Sequence, residues 1–130
     1  MDVVTEGKQI AQSEDKRIHE FCIKWSAWHR SRRLFAPPVP PTLLARLQPA
    51  PSGDVPDAEL SADASYFNLA LLGMQEGRPK QAFYLYYLHR VRPLKVLADE
   101  LGMTEQGLHK TVKTFRTNTY RAYHRMLIGL

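Results

Sequence analysis

Proline placement constrains this chain more than any other feature. Seven of its nine prolines fall between Pro37 and Pro56, in Pro37-Pro38-Val39-Pro40-Pro41, Pro49-Ala50-Pro51 and Pro56. Each removes a backbone donor and pushes the preceding residue toward extended geometry, so neither a helix nor a central strand can run through the stretch. Residues 36–60 are therefore expected to be a Pro-rich linker, broken by one helical turn at Thr42–Leu47. Packing across the surface is its expected role, with a docking segment for a partner as the alternative. The other two prolines, Pro79 and Pro93, sit where a helix can begin.

On either side of the linker the apolar residues recur at helical spacing. Ile18, Phe21, Cys22, Trp25, Trp28 and His29 follow three- and four-residue steps and predict an N-terminal helix over 14–35. Glu14 and Asp15 suit its positive end, and Arg30, Arg32 and Arg33 its negative end. Trp25 and Trp28 are expected to anchor a core rather than to stack on bases. After the linker, Asp63 or Ser61 is expected to cap a helix carrying Tyr66, Phe67, Leu69, Ala70 and Leu71, with Gly73 and Gly77 ending it. Another helix is expected to open at Pro79 and run through Phe83, Tyr84, Tyr87, Leu88 and Val91. No series of alternating strands appears. The expected fold is all-α, a single helical domain over 1–130 with residues 61–130 as its C-terminal helical unit.

Charge divides unevenly along the chain. The net formal charge is +5, but residues 1–35 carry +2, residues 36–77 carry −4 and residues 78–130 carry +7. A basic C-terminal segment is the footprint expected for a polyanion, most often nucleic acid.

The sharpest local pattern lies in that segment, from Arg92 to Val112. Pro93 opens a short helix with Leu94, Leu97 and Leu101 facing inward. Ala98 is small where a second helix crosses, and Gly102 can take the left-handed conformation that turns the chain. Met103 fills the turn, Thr104 caps the next helix, and Leu108 and Val112 pack it back. This is helix-turn-helix spacing, over 93–114. Gly107, inside the second helix, departs from the pattern at a cost of about 1 kcal/mol relative to alanine. Gln106, His109, Lys110 and Lys113 then project outward as base-reading candidates. Arg90, Arg92, Lys95 and Thr104 are the phosphate candidates. The helix is expected to continue past Val112, with Phe115, Thr119, Ala122 and Met126 along one face packed on the Trp25/Trp28 helix.

Other chemistries find little support. The single cysteine, Cys22, cannot form an internal disulfide or a multi-cysteine zinc site. The five histidines are scattered without metal-ligand spacing. No glycine-rich phosphate loop or activated nucleophile stands out. No enzyme activity, cofactor, metal or small-molecule substrate is expected. No apolar run is long enough to span a bilayer and no secretory signal is evident, so a reduced, cytoplasmic protein is expected.

Taken together, Trp25-x-x-Trp28-His29-x-x-Arg32-Arg33, Pro37-Pro38, Leu44-Ala45-Arg46-Leu47, Pro56-Asp57-Ala58, Tyr86-Tyr87 and the Pro93–Val112 unit resemble a known family. It is that of the small phage late-gene antitermination proteins of the Q type, whose DNA-binding unit resembles region 4 of sigma factors. The resemblance covers roughly residues 16–126. Its helix-turn-helix is shared with many regulators, whereas the tryptophan and proline front part discriminates better. The resemblance implies binding to a DNA element near a late promoter and engagement of bacterial RNA polymerase with its sigma factor. Readthrough of pauses and terminators would follow, in the host cytoplasm. It also implies that Gln106, His109 and Lys110 correspond to the recognition-helix face. Zinc-binding cysteine pairs found in some related proteins are absent here, so no zinc is implied. The alternative is a repressor or activator that acts only through DNA binding.

Overall fold

The computed structural model describes residues 3–49 and 58–129, with side-chain environments from 9–49 and 60–129. All its regular elements are helical. Helix α1 spans Val3–Arg32, a 3-10 helix spans Pro41–Arg46, α2 spans Ala58–Leu72 and α3 spans Arg78–Phe83. Helix α3 passes without a break into a π-helical turn, Tyr84–Leu88, before α4 (Leu94–Glu100) and α5 (Glu105–Gly129). Among the described residues the single β-type pairing is an isolated antiparallel bridge between Leu47 and Val91.

The aromatic side chains explain why four helices share one core. Trp25 is fully buried and lies against Phe67 of α2, Phe83 of α3 and Tyr84, at ring separations of 5.9, 5.3 and 6.0 Å. Its indole N–H donates to Asn68 Oδ1 at 3.2 Å. Phe83 in turn meets Phe115 of α5 at 5.3 Å. Flat rings fill the wide gaps between crossing helices with few rotamers to lose. Trp28 is buried beside this cluster, as the helical spacing required.

Several boundaries differ from those read along the sequence. Helix α1 begins well before residue 14 and stops at Arg32, where Arg33 takes a positive φ of 52°. Helix α2 already runs from Ala58, so Ser61 and Asp63 lie inside it and do not cap it. Asp63 instead accepts a hydrogen bond from the Tyr123 hydroxyl of α5 at 3.1 Å. The helix from Pro79 stops at Leu88, short of Val91. It ends on an i→i+5 closure, His89 N–H to Tyr84 O at 3.1 Å, and Val91, whose N–H still reaches Leu85 O at 3.0 Å, pairs with Leu47. The described part of the linker packs on the protein. Leu43 is buried, Gln48 N–H donates to Arg90 O at 3.1 Å and Arg92 N–H to Arg46 O at 3.0 Å. Its stretch 50–57 lies outside the described residues.

Helix α5 reaches α1 further toward the N-terminus than the tryptophans. Phe21 stacks on Tyr123 at 5.6 Å and meets Tyr120 edge-on at 5.5 Å. Nearly two turns before Phe21 on α1, Asp15 takes both of its carboxylate oxygens to Arg116 Nη2, at 2.8 and 2.9 Å. Arg116 Nη1 donates to the Tyr87 hydroxyl at 2.9 Å, which leaves that hydroxyl's own hydrogen for His19 Nδ1 at 2.7 Å. Burial alone would lower the Arg116 pKa; the oxygens of Asp15 and Tyr87 reverse that and hold it raised. The same burial, with the nearby Arg116 charge, lowers His19, and the Tyr87 phenol is pushed up mainly by desolvation.

Candidate nucleic-acid interface

The junction between α4 and α5 is built by local rules. Leu101 closes α4, and Gly102 follows at φ 69°, a left-handed conformation that a β-carbon would penalise. Met103 N–H reaches back to Ala98 O at 2.9 Å and Gly102 N–H to Asp99 O at 3.1 Å, the paired bonds of a Schellman turn. Thr104 then caps α5: its carbonyl accepts from Leu108 N–H at 2.8 Å and its Oγ1 from Gly107 N–H at 3.0 Å. A β-carbon on Gly107 would stand 3.1 Å from that oxygen, so glycine at this position keeps room for the cap. Leu97, Ala98 and Leu101 of α4 and Leu108 and Val112 of α5 are all buried.

Gln106, His109, Lys110 and Lys113 are exposed. Their three- and four-residue steps place them on one side of α5, away from Leu108, Val112, Phe115 and Thr119, which are buried. Lys110 also lines an open groove of about 590 Å³ between α5 and the 74–79 turn, with Met74, Pro79, Phe115 and Asn118.

The phosphate candidates divide. Lys95 is exposed on the first turn of α4, and Thr104 is exposed with its hydroxyl hydrogen free after capping α5. Arg92 is half-buried. Its guanidinium lies 4.7 Å from the centre of the Tyr86 ring and its Nη1 donates to Val91 O at 2.8 Å and Tyr86 O at 3.4 Å. Tyr86 also meets the His109 ring edge-on at 6.4 Å, so Arg92 joins the α5 face through one aromatic ring. Arg90 is half-buried with a positive φ of 54°, and Arg30 of α1 reaches the same segment by donating from Nη1 to Leu88 O at 3.4 Å. In the sequence Arg30 is only a dipole complement; nothing local marks its approach to a residue 58 positions away.

Two cations that raised the C-terminal charge do not contribute to this surface. Lys80 is buried, with Nζ on Met74 O at 3.0 Å, Leu72 O at 3.4 Å and Glu76 Oε1 at 2.6 Å, where it closes the C-terminal end of α2. Arg116 is buried on Asp15 as described. The remaining exposed cations of α5, Lys110, Lys113, Arg121 and Arg125, stand against Glu105 as the helix's lone carboxylate.

Among the described residues no group of three or more His, Cys, Asp or Glu side chains could hold a metal ion. Burial pushes the Cys22 thiol up, far from the thiolate form that nucleophilic or ligating cysteines need. No described helix is long and apolar enough to cross a membrane. The architecture thus defines an all-α protein with a basic, polar helix face. Compared with models of protein families, with curated proteins and with solved structures, the chain matches none.

Proposed function

We propose that this chain is a DNA-binding transcription antitermination factor of the bacterial cytoplasm. In this reading α4, the Gly102 turn and α5 form a helix-turn-helix similar to region 4 of sigma factors, and α5 is the recognition helix. One observation carries it. Gln106, His109, Lys110 and Lys113 form a solvent-facing stripe on a helix whose other side is anchored through Leu108 and Val112. Glutamine suits adenine and lysine suits guanine in the major groove, while Lys95 and Thr104 suit phosphates.

A second face suits a protein partner. Leu34, Phe35, Leu44 and Leu47 are exposed, Phe35 to 86%, and the exposed Arg32, Arg33 and Arg46 adjoin them in the chain. Aromatic and arginine side chains of this kind make protein interfaces. RNA polymerase with its sigma factor is the partner that the sequence resemblance supplies.

Two measurements test this reading. Binding to duplex DNA should weaken steeply with salt, because neutralised phosphates release counterions. On a selected site, Lys95→Ala should weaken all sequences alike, whereas Gln106→Ala should relax preference at one base pair by about 1–3 kcal/mol. An unchanged preference profile for Gln106→Ala would show that α5 does not read bases through this stripe. The second measurement is transcription by purified polymerase through a terminator. The expected result is readthrough by wild type and its loss, with DNA binding kept, in folded variants of Arg32, Arg33 and Arg46. If wild type binds its site and gives no readthrough, the protein is a repressor or activator acting through DNA alone.

A further inference from the structure

Three arginines meet where the C-terminal end of α1 faces residues 88–92. Arg30 Nη1 donates to Leu88 O at 3.4 Å, and Arg92 is held on Tyr86 and on the Val91 carbonyl. Arg90 lies in the chain between the Leu88 and Val91 carbonyls that those two bind, with its Nε buried and without an acceptor. Its backbone is held in the left-handed region, φ 54°, where a β-carbon is penalised. Burial lowers the pKa of Arg30 and of Arg92, and the Arg90 charge lowers each further. Among the described residues none of the three has an ion pair, and neither residues 21–49 nor 77–98 contain an Asp or Glu.

Such a cluster costs the fold free energy twice, in like-charge repulsion and in backbone strain. Carbonyl oxygens offset part of the charge of Arg30 and of Arg92, and none does so at Arg90 Nε. Guanidinium forks match phosphate oxygens bidentately, and a group of three arginines favours a full negative charge. We infer that Arg30, Arg90 and Arg92 form a receptor for a backbone phosphate of duplex DNA, a contact off the α5 face supplied jointly by α1 and the 88–92 segment. The inference rests on the DNA-binding reading above and adds α1 to the interface. Continuity favours DNA over an acidic protein segment: Arg92 lies on Tyr86, and Tyr86 touches His109 of the α5 face. A strand read by α5 thus has a stepwise path to the cluster.

The test uses the full chain with Arg30→Gln, Arg90→Gly, Arg90→Lys and the α5 variant Lys113→Ala. Glycine at position 90 keeps the left-handed backbone and removes the charge. A site held together for a ligand predicts opposite signs. In chloride buffer, Arg30→Gln and Arg90→Gly should melt at or above the wild-type temperature, because repulsion and strain are relieved. Their binding to a mixed-sequence duplex should weaken, with the slope of log affinity against log salt reduced by about 1 per arginine removed. Arg90→Lys should retain the slope. Inorganic phosphate, compared with chloride at equal ionic strength, should raise the melting temperature of wild type by more than that of Arg90→Gly, the rise shared by both being its general effect on folded proteins. If wild type and Lys113→Ala behave as DNA binders while the arginine variants keep the wild-type slope, the receptor is overturned and the DNA-binding reading stands. If the extra phosphate protection is lost but duplex binding is unchanged, the cluster serves an acidic protein segment and the assignment to DNA is wrong. Wild type that fails to bind duplex at low salt overturns both.

Discussion

Trp25→Ala is expected to lower the unfolding midpoint by roughly 10–20 °C, the largest stability effect of any single substitution we foresee. Trp25 is fully buried and in ring contact with Phe67, Phe83, Tyr84 and His29, so alanine opens a cavity where α1, α2 and α3 converge. Truncating a buried tryptophan costs about 3–5 kcal/mol, the lost transfer free energy plus the cavity that remains. A finer comparison separates packing from hydrogen bonding. The Trp25 indole N–H is satisfied by Asn68, whereas that of Trp28 is buried with no acceptor. Trp25→Phe leaves the Asn68 oxygen without its donor, while Trp28→Phe removes a polar atom that had no partner. Thermal melts followed by circular dichroism should therefore rank Trp25→Phe as the more damaging of the two phenylalanine variants. Equal effects would mean that the Trp25–Asn68 bond contributes nothing net.

The second large effect concerns the buried guanidinium. Arg116→Met should cost about 2–4 kcal/mol, at the lower side of what breaking a buried ion pair costs because the Asp15 side chain is 26% exposed and water can reach it. Methionine keeps most of the stem's volume, so the loss is mainly electrostatic. Asp15 loses its partner and the Tyr87 hydroxyl loses a donor. Asp15→Asn combined with Arg116→Met should recover part of the stability, since no charge is then left without its counter-ion. Urea melts of the two single variants and the double variant give the coupling directly. Additivity would remove Asp15 from the account and leave Tyr87 as the partner that matters.

Acid titration adds a constraint on the same network. Burial, then the Arg116 charge, lowers the His19 pKa, so His19 is folded in its neutral form and contributes stability above its unfolded pKa. That contribution fades as pH falls through the ordinary imidazole value and then the lower folded one. His29 and His89, both lowered mainly by burial, act in the same direction.

What was legible in the sequence is the set of features decided within a few residues. Proline placement marked the break after α1, and the helical turn expected at Thr42–Leu47 appears as Pro41–Arg46, while residues 58–60, expected in the linker, already belong to α2. The α4–α5 turn was legible because Gly102, Thr104 and the Leu and Val anchors act through φ, hydrogen bonds one turn away and three- or four-residue spacing. The exposed stripe from Gln106 to Lys113 follows from the same periodicity. Helix ends were less legible. Asp63 is as good an N-cap by type as any aspartate, yet α2 continues through it because Tyr123 of α5 offers its side chain another partner.

Only the tertiary structure decided which charges belong to the surface. In sequence Arg116 and Lys113 are two cations three residues apart on one helix, but packing sends the first to Asp15, 101 positions away, and leaves the second in water. The same holds for Arg30 on the Leu88 carbonyl, and for Leu47 against Val91. A residue's type and spacing set its local conformation, because backbone sterics and helix hydrogen bonds reach only a few positions along the chain. Which partner a side chain finds depends on how whole helices cross. That is settled by the summed packing of rings such as Trp25, Phe67 and Phe83, which no short stretch of sequence contains.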